Sequence, residues 1–269
     1  MADWNAGIYD ELSTPQQSWG EAVVARLALE GGETVVDLGC GTGRLTERVL
    51  ERLPRGRVVA VDCSPAMLEV ARANLRPRFP GRVAFVRADA AAPPFGAAAD
   101  VVFSTATFHW VLDHDALFRG VFAALRPGGR LVAQAGGGPN LARLLARAKA
   151  LVESRTFARF FDGWREPWRF EEADETAARL AAAGFVDVET STHPAPVTFA
   201  TAAEYENVLA CVCVRHHIAR LPIETQGPFV QALSAAAAND DPPFTLDYWR
   251  LNLSARKPRT RSTPCASSR

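Results

Sequence analysis

The apolar run Val35-Val36-Asp37-Leu38 passes without a linker into Gly39-Cys40-Gly41-Thr42-Gly43, and a helical pattern begins near Arg44. Three glycines at alternate positions between a buried strand and a helix constrain this chain more than any other stretch. Glycine is required where the backbone turns sharply, or where a ligand must lie against it without an intervening Cβ. The spacing is G-x-G-x-G. The dinucleotide fingerprint is G-x-G-x-x-G, and Arg44 stands where its last glycine would be. Asp37, two positions before the first glycine, would repel a pyrophosphate and welcome a cationic ligand.

Five further short runs share the β-branched, turn-bounded character of residues 34–38: 57–61, 83–87, 100–104, 130–134 and 186–190. Helical patterns over 15–29, 43–53, 65–75, 115–125 and 174–183 alternate with them, and Gly128-Gly129 and Gly184 read as caps of the last two. Residues 247–255 alternate Tyr248, Arg250, Asn252 and Ser254 with Trp249, Leu251 and Leu253, a period-two pattern that predicts an edge-type or antiparallel seventh strand. The expected fold is therefore α/β: a doubly wound, seven-stranded, mostly parallel sheet with a helical cap built from insertions. The expected divisions are an N-terminal helical lid (1–33), a ligand-binding core (34–135), an insertion (136–172), a core continuation (173–191), a helical cap (192–246), the final strand (247–256) and a disordered tail (257–269).

Asp62 ends the second strand and lies nineteen residues beyond Gly43, close to the offset of a ribose-binding carboxylate. Asp89, between Ala88 and Ala90, follows the third strand and is placed to take an exocyclic amine of adenine. Each aspartate alone could be a solvated strand end or a helix cap. Three acids closing three successive strands collect along one sheet edge, where open α/β sheets bind ligands.

The 30 basic and 30 acidic side chains cancel, but residues 256–269 hold five basic residues and no acidic one. Residues 1–255 thus carry 25 basic against 30 acidic side chains, a poor surface for nucleic acid. No apolar stretch is long enough to span a bilayer, and the acidic N-terminus has no signal-peptide core. Five cysteines without a pairing pattern fit reduced cytosol, so a cytoplasmic location is expected.

These residues resemble the class I S-adenosylmethionine-dependent methyltransferases. DLGCGTG (37–43) is similar to their first motif, AVDCSPAML (60–68) to the second, RADA (87–90) to the adenine-site motif, and residues 108–132 to a later block. DWNAGIYD (3–10) and FHWVLDH (108–114) look most like the trans-aconitate methyltransferase branch, whose members esterify small carboxylic acids. The resemblance implies a Rossmann-like methyltransferase fold with an antiparallel last strand and S-adenosyl-L-methionine as cofactor. It places Gly39, Gly41 and Gly43 under the methionine portion, Asp37 at the loop or the ammonium group, Asp62 on the ribose, and Ala88, Asp89 and Ala90 at the adenine. It adds Ser104, and Tyr9 as a cover over the methionine moiety, with Trp4 beside it in the N-terminal segment. The expected partner is a small-molecule acceptor, with no nucleic acid or membrane, for a monomer or weak homodimer.

Methyl transfer from a sulfonium is a displacement on an activated donor, so alignment and water exclusion are the main tasks. A carboxylate acceptor needs no base; a hydroxyl or carbon acid does. His109 is the leading polar candidate at the acceptor side, either orienting the acceptor or acting as base, or else packing beside the cofactor and bonding to backbone. Trp110 is expected to wall the substrate pocket. The aromatic run Phe157, Phe160, Phe161, Trp164, Trp168 and Phe170 supplies either a substrate lid, with Trp164 in the pocket, or the cap's own core. Cys211, Cys213, His216 and His217 suit a buried helix better than a metal site, and no metal is expected. Asp241-Pro242-Pro243-Phe244 copies an N-methyltransferase motif but precedes the last strand, so it reads as a turn. Arg165, Arg169 and Arg215 are candidates for an acidic substrate. An oxygen acceptor is favoured, with C- or N-methylation, a silent S-adenosylmethionine-binding protein and a nicotinamide oxidoreductase as rivals.

Overall fold

The structure, a computed structural model, describes residues 14–259. Trp4, Tyr9 and Cys265 lie outside the described residues, as does the tail from 260 onward. In chain order the helices are Thr14–Ala25 (α1), Arg44–Glu51 (α2), Pro65–Leu75 (α3), His114–Ala124 (α4), Ala142–Val152 (α5), Ala173–Ala182 (α6), Ala202–Val208 (α7), Arg215–Ile218 (α8) and Ile223–Ala237 (α9). The strands are Thr34–Leu38 (β1), Arg57–Asp62 (β2), Val83–Arg87 (β3), Ala99–Thr105 (β4), Leu125–Gly136 (β5), Val186–Pro194 (β6), Val197–Thr198 (β7), Thr245–Leu246 (β8) and Trp249–Arg256 (β9).

Seven strands form one sheet in the order β3-β2-β1-β4-β5-β9-β6. The first five are parallel, and β9 is antiparallel to both β5 and β6. The final strand is thus antiparallel, but interior rather than at the edge. Its alternation arises because its two faces are covered differently: Leu251 and Leu253 enter the core under α4 and α6, while Arg250 faces Trp19 of α1.

Both faces of the sheet are covered, and β1 shows why its sequence is almost wholly apolar. Val36 and Leu38 join the cluster beneath α4 and α6; Val35 joins the cluster with Val23 and Val24 of α1, Leu27 of the turn after it, and Val49 and Leu50 of α2. Val23 and Val24 thus pack α1 onto this face of the sheet. Gly184, at φ +100°, ends α6 as expected. Gly128 and Gly129 do not cap α4. The helix passes directly into Leu125, and both glycines lie within β5, where the β4 pairing slips between Ala99 and Val101. The expected tail also begins later than Lys257, whose ammonium donates to the Phe122 and Leu125 carbonyls at 2.7 and 2.8 Å.

The two insertions share one apolar cluster. Leu141, Leu144 and Phe157 from the first pack with Tyr205, Leu209 and Phe229 from the second. The antiparallel pair β7–β8, which has no strong sequence signal at two residues per strand, ties the two ends of the second insertion together. A single π-helical turn, Leu209–Cys213, joins α7 to the short α8. Such turns rotate the side chains that follow and recur at functional sites. Here they bring Val212 and Cys213 to one cavity and Arg215 and His216 to another.

Candidate active site

Strand order reverses between β1 and β4, and the crevice expected at such a switch point is present at their carboxyl ends. It is a cavity of about 260 Å³ whose floor includes Gly39, Gly41 and Asp62, with Ala88, Asp89 and Ala90 along one side. Thr105, Ala106, Thr107 and Trp110 form the opposite side, and Pro167, Arg215 and His216 reach in from the cap. A larger open cavity of about 540 Å³ lies at the other end of the strands, beside Glu33, Asp100, Arg126 and Arg130. Its charges serve one another: Arg126 pairs with Asp100 at 2.9 Å and Arg130 with Glu33 at 3.9 Å.

The three glycines have three roles. Gly39 sits at φ +87°, and a Cβ there would overlap the Thr107 hydroxyl and methyl. Gly41, at φ +53°, would place a Cβ in open space with nothing within 4 Å, so its bare backbone faces the cleft. Gly43, at φ +83°, would meet Leu75 Cδ1 at 2.7 Å. It lets α3 pack closely and does not line the cavity, so of the expected cradle only Gly39 and Gly41 reach it.

The Asp62 carboxylate accepts from the Gly41 N–H and the Ser64 N–H, both at 2.9 Å. Ser64, not Asp62, caps α3, accepting from the Met67 N–H at 3.1 Å. The two backbone donors Gly41 and Ser64, one on each oxygen, fix the plane of the Asp62 carboxylate. Asp89 is exposed at the rim, where its carboxylate accepts from the Ala91 N–H at 2.9 Å. Ser104 is not at the cleft. Its buried hydroxyl donates to the Leu38 carbonyl at 2.6 Å and ties β4 to the base of the glycine loop.

Asp37 lies beneath the loop and accepts from the Thr46 hydroxyl at 2.5 Å. Burial raises its pKa to about 7, against the lowering effect of the Thr46 hydroxyl, and the nearby Asp62 charge adds to the rise. The folded chain therefore holds a proton that the unfolded chain has lost. The stability this contributes is complete below the ordinary Asp value and disappears as pH rises through about 7. In urea titrations without ligand, the parent protein is expected to lose stability relative to Asp37→Asn between about pH 4 and pH 7. Parallel curves for the two proteins would contradict this.

The cleft communicates with a smaller chamber of about 60 Å³ through Ala106 and Trp110, which line both. His109 is in the chamber wall. Its Nδ1 accepts the Gly136 N–H at 3.3 Å, which leaves the proton of the neutral ring on Nε2. Burial, then the Arg250 charge, then His114, push its pKa down to about 3. The loop carrying His109 is held from below, as His114 bridges the Phe108 carbonyl at 3.1 Å and Glu171 at 3.0 Å. Arg169 also closes on Glu171, so it is occupied in this network.

Trp164 is not in either cavity. It packs in the cap core 4.7 Å from the His217 ring and 5.6 Å from Phe161. Trp168 and Phe170, from the same aromatic run, do line the chamber, so the run divides between cap core and pocket. Cys213 and His217 are both buried in the cap, with Cys213 Sγ 3.3 Å from the Tyr248 hydroxyl. Asp241-Pro242-Pro243-Phe244 falls in the turn between α9 and β8, with Phe244 against Tyr205.

A family model described as a methyltransferase domain matches residues 35–129. A trans-aconitate 2-methyltransferase of Methylobacterium radiotolerans is 39% identical over 134 residues, which are 50% of each chain. The alignments to the first relatives of this name thus span about half the length of those proteins. A trans-aconitate 2-methyltransferase of Methylobacterium nodulans is 30% identical over 96% of this chain and its own full length. A Haemonchus contortus phosphoethanolamine N-methyltransferase 2, solved with phosphomonomethylethanolamine and S-adenosylhomocysteine, shares the fold. Its TM-score is 0.62 at 19% identity, over 94% of this chain and 57% of that one. This chain belongs to the class I S-adenosylmethionine-dependent methyltransferases. S-adenosyl-L-methionine is the methyl donor of the family, and the open backbone at Gly41 beside a pre-oriented Asp62 fits it.

Proposed function

We propose that this chain transfers a methyl group from S-adenosyl-L-methionine to a carboxylate oxygen of a small acid. One observation carries the reading: a relative named trans-aconitate 2-methyltransferase is 30% identical over 96% of this chain, and the chamber beyond the donor cleft is lined by Arg250. A guanidinium favours an anionic acceptor. The names of the relatives support the same acceptor class. Asp62 would hold the ribose, Gly41 would lie against the methionine portion, and Asp89 would meet the adenine end.

When bound there, S-adenosyl-L-methionine supplies an electrophilic methyl on sulfur: an O–CH3 bond forms as the S–CH3 bond breaks, the electron pair stays on sulfur, and no proton moves. A base is therefore unnecessary, and the two titratable groups of the chamber that could serve as one are disabled. The His109 Nδ1 lone pair is engaged by Gly136, and burial of the Cys213 thiol raises its pKa to about 12. His109 instead presents Nε2–H as a donor that would orient the acceptor. Trp110 and the cap exclude water, which favours displacement over side reactions.

His109→Gln keeps one acceptor and one donor, and is expected to retain kcat within about tenfold, with kcat independent of pH from about 6 to 8 at saturating donor. A loss of 10²–10⁴-fold, the range for removing a general base, would contradict the orienting role. The reaction class is tested by mass spectrometry of an acid panel incubated with trideuteromethyl donor. Base-labile methyl esters are expected; labelled amines, labelled carbon or no product would contradict the proposal.

A further inference from the structure

Asn140, in the turn between β5 and α5, is 4% exposed and lines the chamber. Its Oδ1 accepts the Trp249 N–H at 2.9 Å. A backbone amide can only donate, so the atom it meets is the oxygen, and the NH2 is the arm left for the chamber. The turn itself is pinned. The Leu141 N–H donates to the Asp247 carbonyl at 3.0 Å, and Leu141 holds a φ of +59°. Left-handed non-glycine backbone of this kind clusters at ligand clamps.

Gly136 ties Asn140 to His109. Its N–H donates to His109 Nδ1, and a Cβ on it would lie 2.9 Å from Asn140 Nδ2. Only a bare Cα lets the amide come this close. The imidazole and the carboxamide therefore share one neighbour and line one cavity. Among the described residues, neither Asn140 Nδ2 nor His109 Nε2 makes a hydrogen bond. Folded proteins leave few buried donors in that state, because each one forfeits its hydration. Both groups can only donate, so what satisfies them must bring lone pairs. A carboxylate does so best, since hydrogen bonds to an ionised acceptor are about twice as strong as neutral ones. An ammonium would set N–H against N–H at this point.

Resting on the esterification reading, we infer that Asn140 is a specificity-determining residue: its NH2, beside His109 Nε2–H, holds the acceptor's carboxylate by the oxygen that is not methylated. Charge leaves the carboxylate as the O–CH3 bond forms, so this grip is strongest on the ground state. Its loss should appear in KM for the acid more than in kcat. The neutral ester is held less tightly than the acid, which helps the product leave.

Asn140→Asp tests the assignment. It keeps the size and the Trp249 tether, since either carboxylate oxygen accepts from an N–H, but it turns a negative oxygen on the acid in place of a donor. The full chain is assayed on an acid panel that includes trans-aconitate, fumarate and crotonate, with methyl ester scored by mass spectrometry. For each acid the parent esterifies, KM is expected to rise at least about tenfold, the scale for losing a charged hydrogen bond. The change in kcat should be smaller, and calorimetric affinity for S-adenosylhomocysteine should be unchanged. A smaller rise in KM, or a loss lying in kcat or in S-adenosylhomocysteine affinity, would overturn the inference while leaving esterification intact; Asn140 would then serve Trp249 alone. If Asn140→Asp does not fold, a crystal of the parent with S-adenosylhomocysteine and its best acid decides. A carboxylate oxygen within about 3.2 Å of Nδ2 is expected, and an acid bound elsewhere would overturn the inference. Absence of ester from every acid with the parent would remove the esterification reading itself, and the inference with it.

Discussion

Asp62→Ala is expected to weaken S-adenosylhomocysteine binding at least about tenfold, the cost of charged hydrogen bonds worth roughly 1.5–3 kcal/mol each. The reasoning begins at the end of β2, where Val61 is buried and Asp62 is the first residue to emerge beside the cleft. Its carboxylate is positioned before any ligand arrives, because the Gly41 and Ser64 amides hold both oxygens. Removing it deletes the acceptor for the ribose and also releases the Gly41 amide, so the glycine loop loses an anchor. Asp62→Asn should fall between, since one carboxamide oxygen can still accept from a backbone N–H. Calorimetry with circular dichroism as the folding control makes the measurement. Unchanged affinity in a folded Asp62→Ala protein would contradict the ribose assignment.

Gly39→Ala is expected to be the most damaging small substitution in the site. At φ +87° an L-residue is strained by roughly 1–2 kcal/mol, and the added methyl must displace Thr107, for which overpacking costs about 1–3 kcal/mol. A loss of about 3 kcal/mol in urea unfolding follows from these two sources. They separate experimentally, because Thr107→Gly removes the clash and leaves the backbone strain. The double variant should therefore recover part of the loss and not all of it. No loss in Gly39→Ala, or full recovery in the double variant, would show that the loop is not held in this conformation. Thr107 also donates to the Thr105 carbonyl at 2.9 Å, so its own replacement needs a separate baseline.

Much of this architecture is legible in the chain because local physics dictates it. The β-branched runs of β1, β2 and β3 end where charge or glycine begins, and their carboxyl ends share an edge once the sheet is parallel. That is enough to bring Gly39, Gly41, Asp62 and Asp89 together. Ser64-Pro65 starts α3 by itself, which freed Asp62 for the cleft and was readable from the residues alone.

The features that escaped the sequence depend on which way a side chain turns after packing. Ser104 and Thr105 are adjacent on one strand, but only Thr105 points into the cleft, since alternate residues face opposite sides. Trp164 and Trp168 belong to one aromatic run, and the cap core took the first while the chamber took the second. Arg250 read as the polar half of an alternating strand, and its strand is interior, so that face lies buried under α1. His216 was visible only as half of a histidine pair. The π-helical turn before α8 aims it at the cleft, 5.2 Å from Trp110, while His217 turns into the cap.

The account stands or falls on the cleft between the ends of β1, β2 and β4. A crystal structure with S-adenosylhomocysteine addresses this directly. The ribose hydroxyls are expected within hydrogen-bond distance of Asp62, with the homocysteine chain lying along Gly41 and the adenine beside Ala88 and Asp89. Well-defined ligand density at any other surface, or a cleft that excludes the ligand at saturating concentration, would contradict the account.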